Sequence, residues 1–138
     1  MLPEYNVVYA GHNLSDAERE VPLVLAGCSP PPATLHTQVG SNDFTIPPRA
    51  VITGGGYSEG RFQALYQACA KAGGAITVPF FRTDNQLTDQ LAAMGQGPAH
   101  ASPEYPAAVT ARLKAKLREV GVAPETNPSG TAGKTYWF

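Results

Sequence analysis

Apolar residues recur at positions 62, 65, 66, 69 and 72, the spacing of one helix face, and the run ends at Gly73 and Gly74. A second helical stripe, Val109, Leu113, Leu117 and Val120, begins after Pro106 and carries Lys114, Lys116 and Arg118 toward a stop at Gly121. Four short β-branched or aromatic runs predict strands: residues 6–10, closed by Gly11; the alternating 34–39, placed near a sheet edge; 50–53; and 75–81. Pro79 in the last of these points to an edge position or an irregularity. Ser15 and Glu18 have capping-box spacing and predict a helix start, with Pro22 stopping that helix near Val21 or kinking it. Residues 21–28 fit a short helix or an apolar strand, and periodicity does not separate the two. Residues 29–32, with three consecutive prolines, form a stiff turn, residues 86–94 a short helix, and residues 95–103 a surface loop.

Strands alternating with amphipathic helices predict the α/β class, as a single three-layer Rossmann-like domain with a small, mostly parallel sheet. A chain of this length supports about four or five strands. The division expected is an α/β domain over 1–122 and a loosely structured C-terminal tail over 123–138. The end of that tail, Tyr136, Trp137 and Phe138, is aromatic enough to dock on its own chain or on a neighbour.

Composition narrows the function classes. With 138 residues and 43% hydrophobic content the chain supports one packed core. Its 15% charged fraction is low against a typical value of about 25%, which leaves room for a homo-oligomer. A net charge of -1 with dispersed basic residues argues against nucleic acid and an anionic membrane as partners. Cys28 and Cys69 make no disulfide framework, and no Cys/His cluster has metal spacing, so no metal is expected. The first residues lack a basic, then apolar leader pattern, and no apolar run approaches the ~18 residues that span a bilayer, so a cytoplasmic protein is expected.

In a parallel sheet, ligands bind beyond the carboxyl ends of the strands, so the residues just after each strand are the candidates for chemistry. Gly54, Gly55 and Gly56 join the 50–53 strand to the next helix, and their amide N–H groups suit a phosphate, a carboxylate or a developing oxyanion. Ser58 extends this substrate-binding set, and Arg82, after the 75–81 run, supplies a cation for the same anionic groups. His12, beside Gly11, is the leading general acid/base, because imidazole titrates near neutral pH. Asp84 is the residue to orient His12 or take a proton. Tyr57 suits donation to an enolate or carbonyl oxygen, and Glu59 suits proton transfer or the helix dipole. His36 reads as structural, His100 as an exposed loop residue, Cys69 as core, and Cys28 has no activating neighbour in sequence.

The run Val51, Ile52, Thr53, Gly54, Gly55, Gly56, Tyr57, Ser58, Glu59, Gly60, Arg61 resembles the cofactor turn of the short-chain dehydrogenases. That resemblance covers residues 50–84 and implies NAD or NADP, with the pyrophosphate on the glycine turn and Asp84 against the ribose. Ser58 stands where that family's pattern has a glycine. The family's active-site Tyr-x-x-x-Lys has no counterpart, since Tyr66 and Lys71 are differently spaced.

The function expected is therefore a small cofactor-independent enzyme that moves protons on a small organic metabolite, of isomerase, lyase or cyclase type. One alternative is an NAD(P)- or nucleotide-binding Rossmann-like protein. Another is a non-catalytic interaction module, suggested by the low charge, the proline-rich turn and the aromatic tail.

Overall fold

In a computed structural model that describes residues 4–30, 40–73, 76–123 and 130–138, the first helix, α1 (Leu14–Leu25), is capped by Asn13. The Asn13 side chain accepts from the Asp16 N–H at 3.0 Å, and its extended backbone lets it reach back over the first turn. The start is thus earlier than the expected cap at Ser15. The helix continues through Pro22, so residues 21–25 are helical and the ambiguity over 21–28 resolves toward helix. Gly27, at φ +78, ends it: the Gly27 N–H donates to Val24 O at 3.1 Å and the Cys28 N–H to Leu23 O at 2.8 Å. These paired bonds satisfy the last carbonyls of the helix in the Schellman manner.

The chain clusters into two compact units. The first, Met1–Arg49 with Tyr57–Val78, holds α1 and α2 (Glu59–Gly73). Phe62, Leu65 and Cys69 of α2 are buried, as their helical spacing predicts, and the helix runs into Gly73. It packs against α1, whose buried residues include Ala17, Glu20 and Val24. Residues 6–10 are not a strand. Val7 O and Val8 O accept from the Ser41 and Asn42 N–H groups, but Asn42 turns into the left-handed region at φ 56, which diverts the partner backbone before a ladder can form. Gly40 fits this crossing because a Cβ there would lie 3.0 Å from Val8 O. The expected strand at 34–39, with His36, lies outside the described residues.

The second unit, Ala50–Gly56 with Pro79–Phe138, is built on a parallel sheet of β1 (Val51–Thr53), β2 (Phe80–Arg82) and β3 (Thr135–Trp137), in the order β1-β2-β3. The described residues thus carry three strands, fewer than expected. Phe80 and Phe81, both 0% exposed, anchor the central strand, and full burial of such a side chain contributes about 1.5–3 kcal/mol. Pro79 marks no edge. It precedes the ladder, whose first β2 donor is the Phe80 N–H to Lys134 O at 2.8 Å, so the missing proline N–H removes no sheet bond. Residues 130–138, expected within a loose tail, end in β3, and the Phe138 N–H closes onto Arg82 O at 3.0 Å. The aromatic end therefore docks on its own chain.

The register pairs Val51, Phe80 and Thr135, then Ile52, Phe81 and Tyr136, then Thr53, Arg82 and Trp137. Because side chains alternate along a strand, the first and third sets share one face and the second occupies the other. Phe81 stacks on Tyr136 at 5.4 Å on that second face. Two helices complete the unit, α3 (Asn85–Ala93) and α4 (Tyr105–Val120), the latter burying Leu113 and Leu117 and ending at Gly121 in the left-handed conformation.

Candidate functional site

The residues singled out from sequence divide between the units. His12, Tyr57, Ser58 and Glu59 fall in the first, and Gly54, Gly55, Gly56, Arg82 and Asp84 in the second.

In the second unit these residues are engaged in the fold. None of the three consecutive glycines has a positive φ, so the left-handed freedom of glycine is not what this turn uses. Gly55 answers to a close approach instead. Asn85 Nδ2 donates to Gly55 O at 2.9 Å, and a Cβ on Gly55 would collide with the Asn85 amide, whereas Gly54 and Gly56 face open space. Asp84 is the N-cap of α3, its carboxylate accepting from the Leu87 N–H at 3.0 Å. Arg82 is not beyond the strand but its last residue, 5% exposed, with its guanidinium carbon 4.2 Å from the centre of the Trp137 ring. Thr83 ties β2 to β1 twice, its N–H and hydroxyl each donating to Thr53 O at 3.1 Å. His100 Nε2 lies 3.3 Å from Asp89 Oδ1 on α3, and its ring lies 4.9 Å from that of Tyr105.

The first unit gathers a different set. Ser58 caps α2, its hydroxyl accepting from the Arg61 N–H at 3.3 Å, and Glu59 accepts from Gln63 Nε2 at 2.9 Å one turn on. Tyr57, just before this cap, is half-buried. Burial raises its phenol above the ordinary value, and the charges of Glu18 and Cys69 raise it further against the opposing pull of Arg61. Arg61 in turn pairs with Glu18 at 3.4 Å, joining α2 to α1. His12 is exposed on the short loop between Gly11 and the Asn13 cap.

Two residues that the sequence reading passed over complete this group. The Tyr9 hydroxyl donates to Glu20 Oε2 at 2.5 Å. Glu20 is 1% exposed, and its other oxygen, Oε1, is buried with no hydrogen-bond partner among the described residues. Burial raises the Tyr9 phenol strongly, followed by the hydrogen bond and charge of Glu20, with Tyr57 and Asp16 adding to the effect. Both phenols therefore keep their protons further into alkaline pH than a free tyrosine, and Tyr9 spends its own on Glu20. A signal for Glu20 was present in the spacing of Ala17, Glu20 and Val24, which sets a carboxylate in the middle of an apolar helix face. Cys69 also faces inward, its thiol pushed up to about 11 by burial, which suits an inert core group.

Chemically, the first unit offers an exposed imidazole, two protonated phenols and a buried carboxylate. Among the described residues no group of three His, Cys, Asp or Glu side chains is placed to hold a metal ion, and no helix is long and apolar enough to cross a membrane. No protein-family model matches this chain, and neither a curated protein nor a solved structure matches it.

Proposed function

We propose that this chain is a small enzyme that moves a proton on a small organic metabolite, without a cofactor, from a site in its first unit. The observation that carries the reading is the grouping of the protonated Tyr57 phenol with Tyr9 and the buried Glu20 carboxylate. A phenol held neutral by burial donates a hydrogen bond to an oxygen that gains charge as a neighbouring carbon loses its proton. His12, exposed on the loop before the Asn13 cap, is the group that takes and returns that proton. Proton abstraction and oxyanion stabilisation are the two roles that isomerases, lyases and cyclases of this kind share.

Asp84 has no part in this reading, since its carboxylate caps α3. The same engagement weighs against a dinucleotide. Asp84 would face the ribose and Gly55 the pyrophosphate, yet Asp84 holds the Leu87 N–H and Asn85 covers Gly55.

The test is solvent exchange. Wild-type protein is incubated in deuterated buffer with a panel of small keto acids, hydroxy acids and unsaturated acids, and carbon-bound hydrogen is followed by proton NMR. Catalysed exchange in one or more compounds supports the reading. No exchange above buffer across the panel, together with saturable binding of NAD or NADP, would replace it with the dinucleotide reading.

A further inference from the structure

His12 is flanked on both sides by residues that α1 holds in place. After it, Asn13 caps the helix through its side chain, and Asn13 O accepts the Ala17 N–H at 3.0 Å. Before it, Gly11 lies against the end of the Tyr9 ring so closely that a Cβ would collide with the Tyr9 hydroxyl. That hydroxyl is itself fixed by Glu20, on the buried face of the same helix.

We infer that Tyr9 and Glu20 are positioning residues for His12, with Glu20 orienting the Tyr9 phenol and the phenol fixing the backbone of Gly11 from which the His12 loop departs. The inference rests on the reading of His12 as the acid/base group. A buried carboxylate with one oxygen unpartnered is costly to keep in a helix interface. Its hydrogen bond to Tyr9 joins residue 20 of α1 to the segment that leads into the helix, which ordinary apolar packing at that position would leave unlinked. Glu20 does not touch substrate in this arrangement. It acts through Tyr9, and Tyr9 acts through the main chain.

The test uses the full chain labelled with nitrogen-15 and follows the ring signals of His12 and His100 by NMR, alongside the exchange rate of whichever panel compound responds. Tyr9→Phe keeps the ring and deletes only the hydroxyl, and Glu20→Gln keeps an acceptor where Glu20→Ala removes it. The expected pattern is a displaced or broadened His12 signal in Tyr9→Phe and Glu20→Ala, restored toward wild type in Glu20→Gln, with His100 unmoved in all three. The exchange rate in Tyr9→Phe falls by about tenfold or more, within the range that misplacing a general acid/base costs. A His12 signal unchanged in folded Tyr9→Phe overturns the inference, as does an equal change at His100, which would show a general loss of structure. Should Glu20→Ala fail to fold, Tyr9→Phe and Glu20→Gln still decide. If no panel compound exchanges but the His12 signal follows the pattern, the positioning stands and the proposed reaction falls.

Discussion

Tyr9 and Glu20 share a hydrogen bond of 2.5 Å between the segment that precedes α1 and the buried face of that helix. The bond satisfies one oxygen of a carboxylate that sits with Ala17 and Val24 on the buried face of α1. It also places a rigid aromatic ring against Gly11, so that the glycine, rather than any larger residue, fits beside it.

The glycines of this chain should accordingly differ in their tolerance of a methyl group. Gly11→Ala meets the Tyr9 hydroxyl and should destabilise the first unit by about 1–3 kcal/mol, the usual cost of forcing an atom into packed space. Gly54→Ala faces open space at a negative φ and should be neutral, or stabilising by up to about 1 kcal/mol through the unfolded chain. Urea midpoints of the two variants against wild type measure the difference. Equal midpoints would show that Tyr9 does not press on Gly11 in solution.

Alkaline pH should weaken the first unit. Tyr9 and Tyr57 are both raised above the ordinary phenol value of 10.0, and Cys69 is raised from 9.0 to about 11. A raised group binds its proton more tightly when folded, so its contribution is complete below the unfolded value and is lost as pH climbs through the folded one. Stability should therefore fall from about pH 9 as unfolded Cys69 begins to ionise, and more steeply from about pH 10 as unfolded tyrosines join it. Urea titrations between pH 8 and 11 should show this decline, flattened at its lower end in Cys69→Ala and at its upper end in Tyr9→Phe. A stability that is flat or rising over that range would contradict the burial of these groups.

Removing residues 130–138 should unfold the second unit rather than trim a tail. The segment supplies β3, the buried Thr131 and Phe138, and the Asp84 N–H to Phe138 O bond of 2.7 Å. Losing a buried aromatic side chain alone costs about 3–5 kcal/mol. Amide hydrogen exchange at Phe80 and Asp84, whose N–H groups bond to Lys134 O and Phe138 O, should accelerate by orders of magnitude in the truncated chain. Exchange that stays slow at both amides would mean that β3 contributes nothing to the sheet.

Helices were the readable part of this sequence, because their signal is local. The stripe of Phe62, Leu65 and Cys69 and the left-handed stop at Gly121 each carry their meaning within a turn or two. Strands depended on distant partners. Residues 6–10 have strand composition but meet a backbone that turns away at Asn42, whereas Thr135–Trp137, in a stretch rich in turn formers, finds β2 and pairs. In the candidate site, Tyr57 and His12 could be named from residue type and position. Asp84 and Ser58 could not be told from helix caps, since a capping side chain and a catalytic one look alike in sequence. Glu20 was half legible: its spacing with Ala17 and Val24 sets it on the buried helix face, but its bond to Tyr9 is supplied only by the packed structure.

In the proposed mechanism His12 moves a proton with Tyr57 as the hydrogen-bond donor. Its most direct test is the rate of hydrogen–deuterium exchange into a responsive panel compound by wild-type protein, His12→Ala and Tyr57→Phe, each checked for folding by amide spectra. A loss of about 10²–10⁴-fold is expected in His12→Ala, the range that general acid/base catalysis supplies. In Tyr57→Phe the expected loss is about 10²-fold or more, on the scale of removing one donor to a developing oxyanion. Wild-type rates in both folded variants would contradict the mechanism.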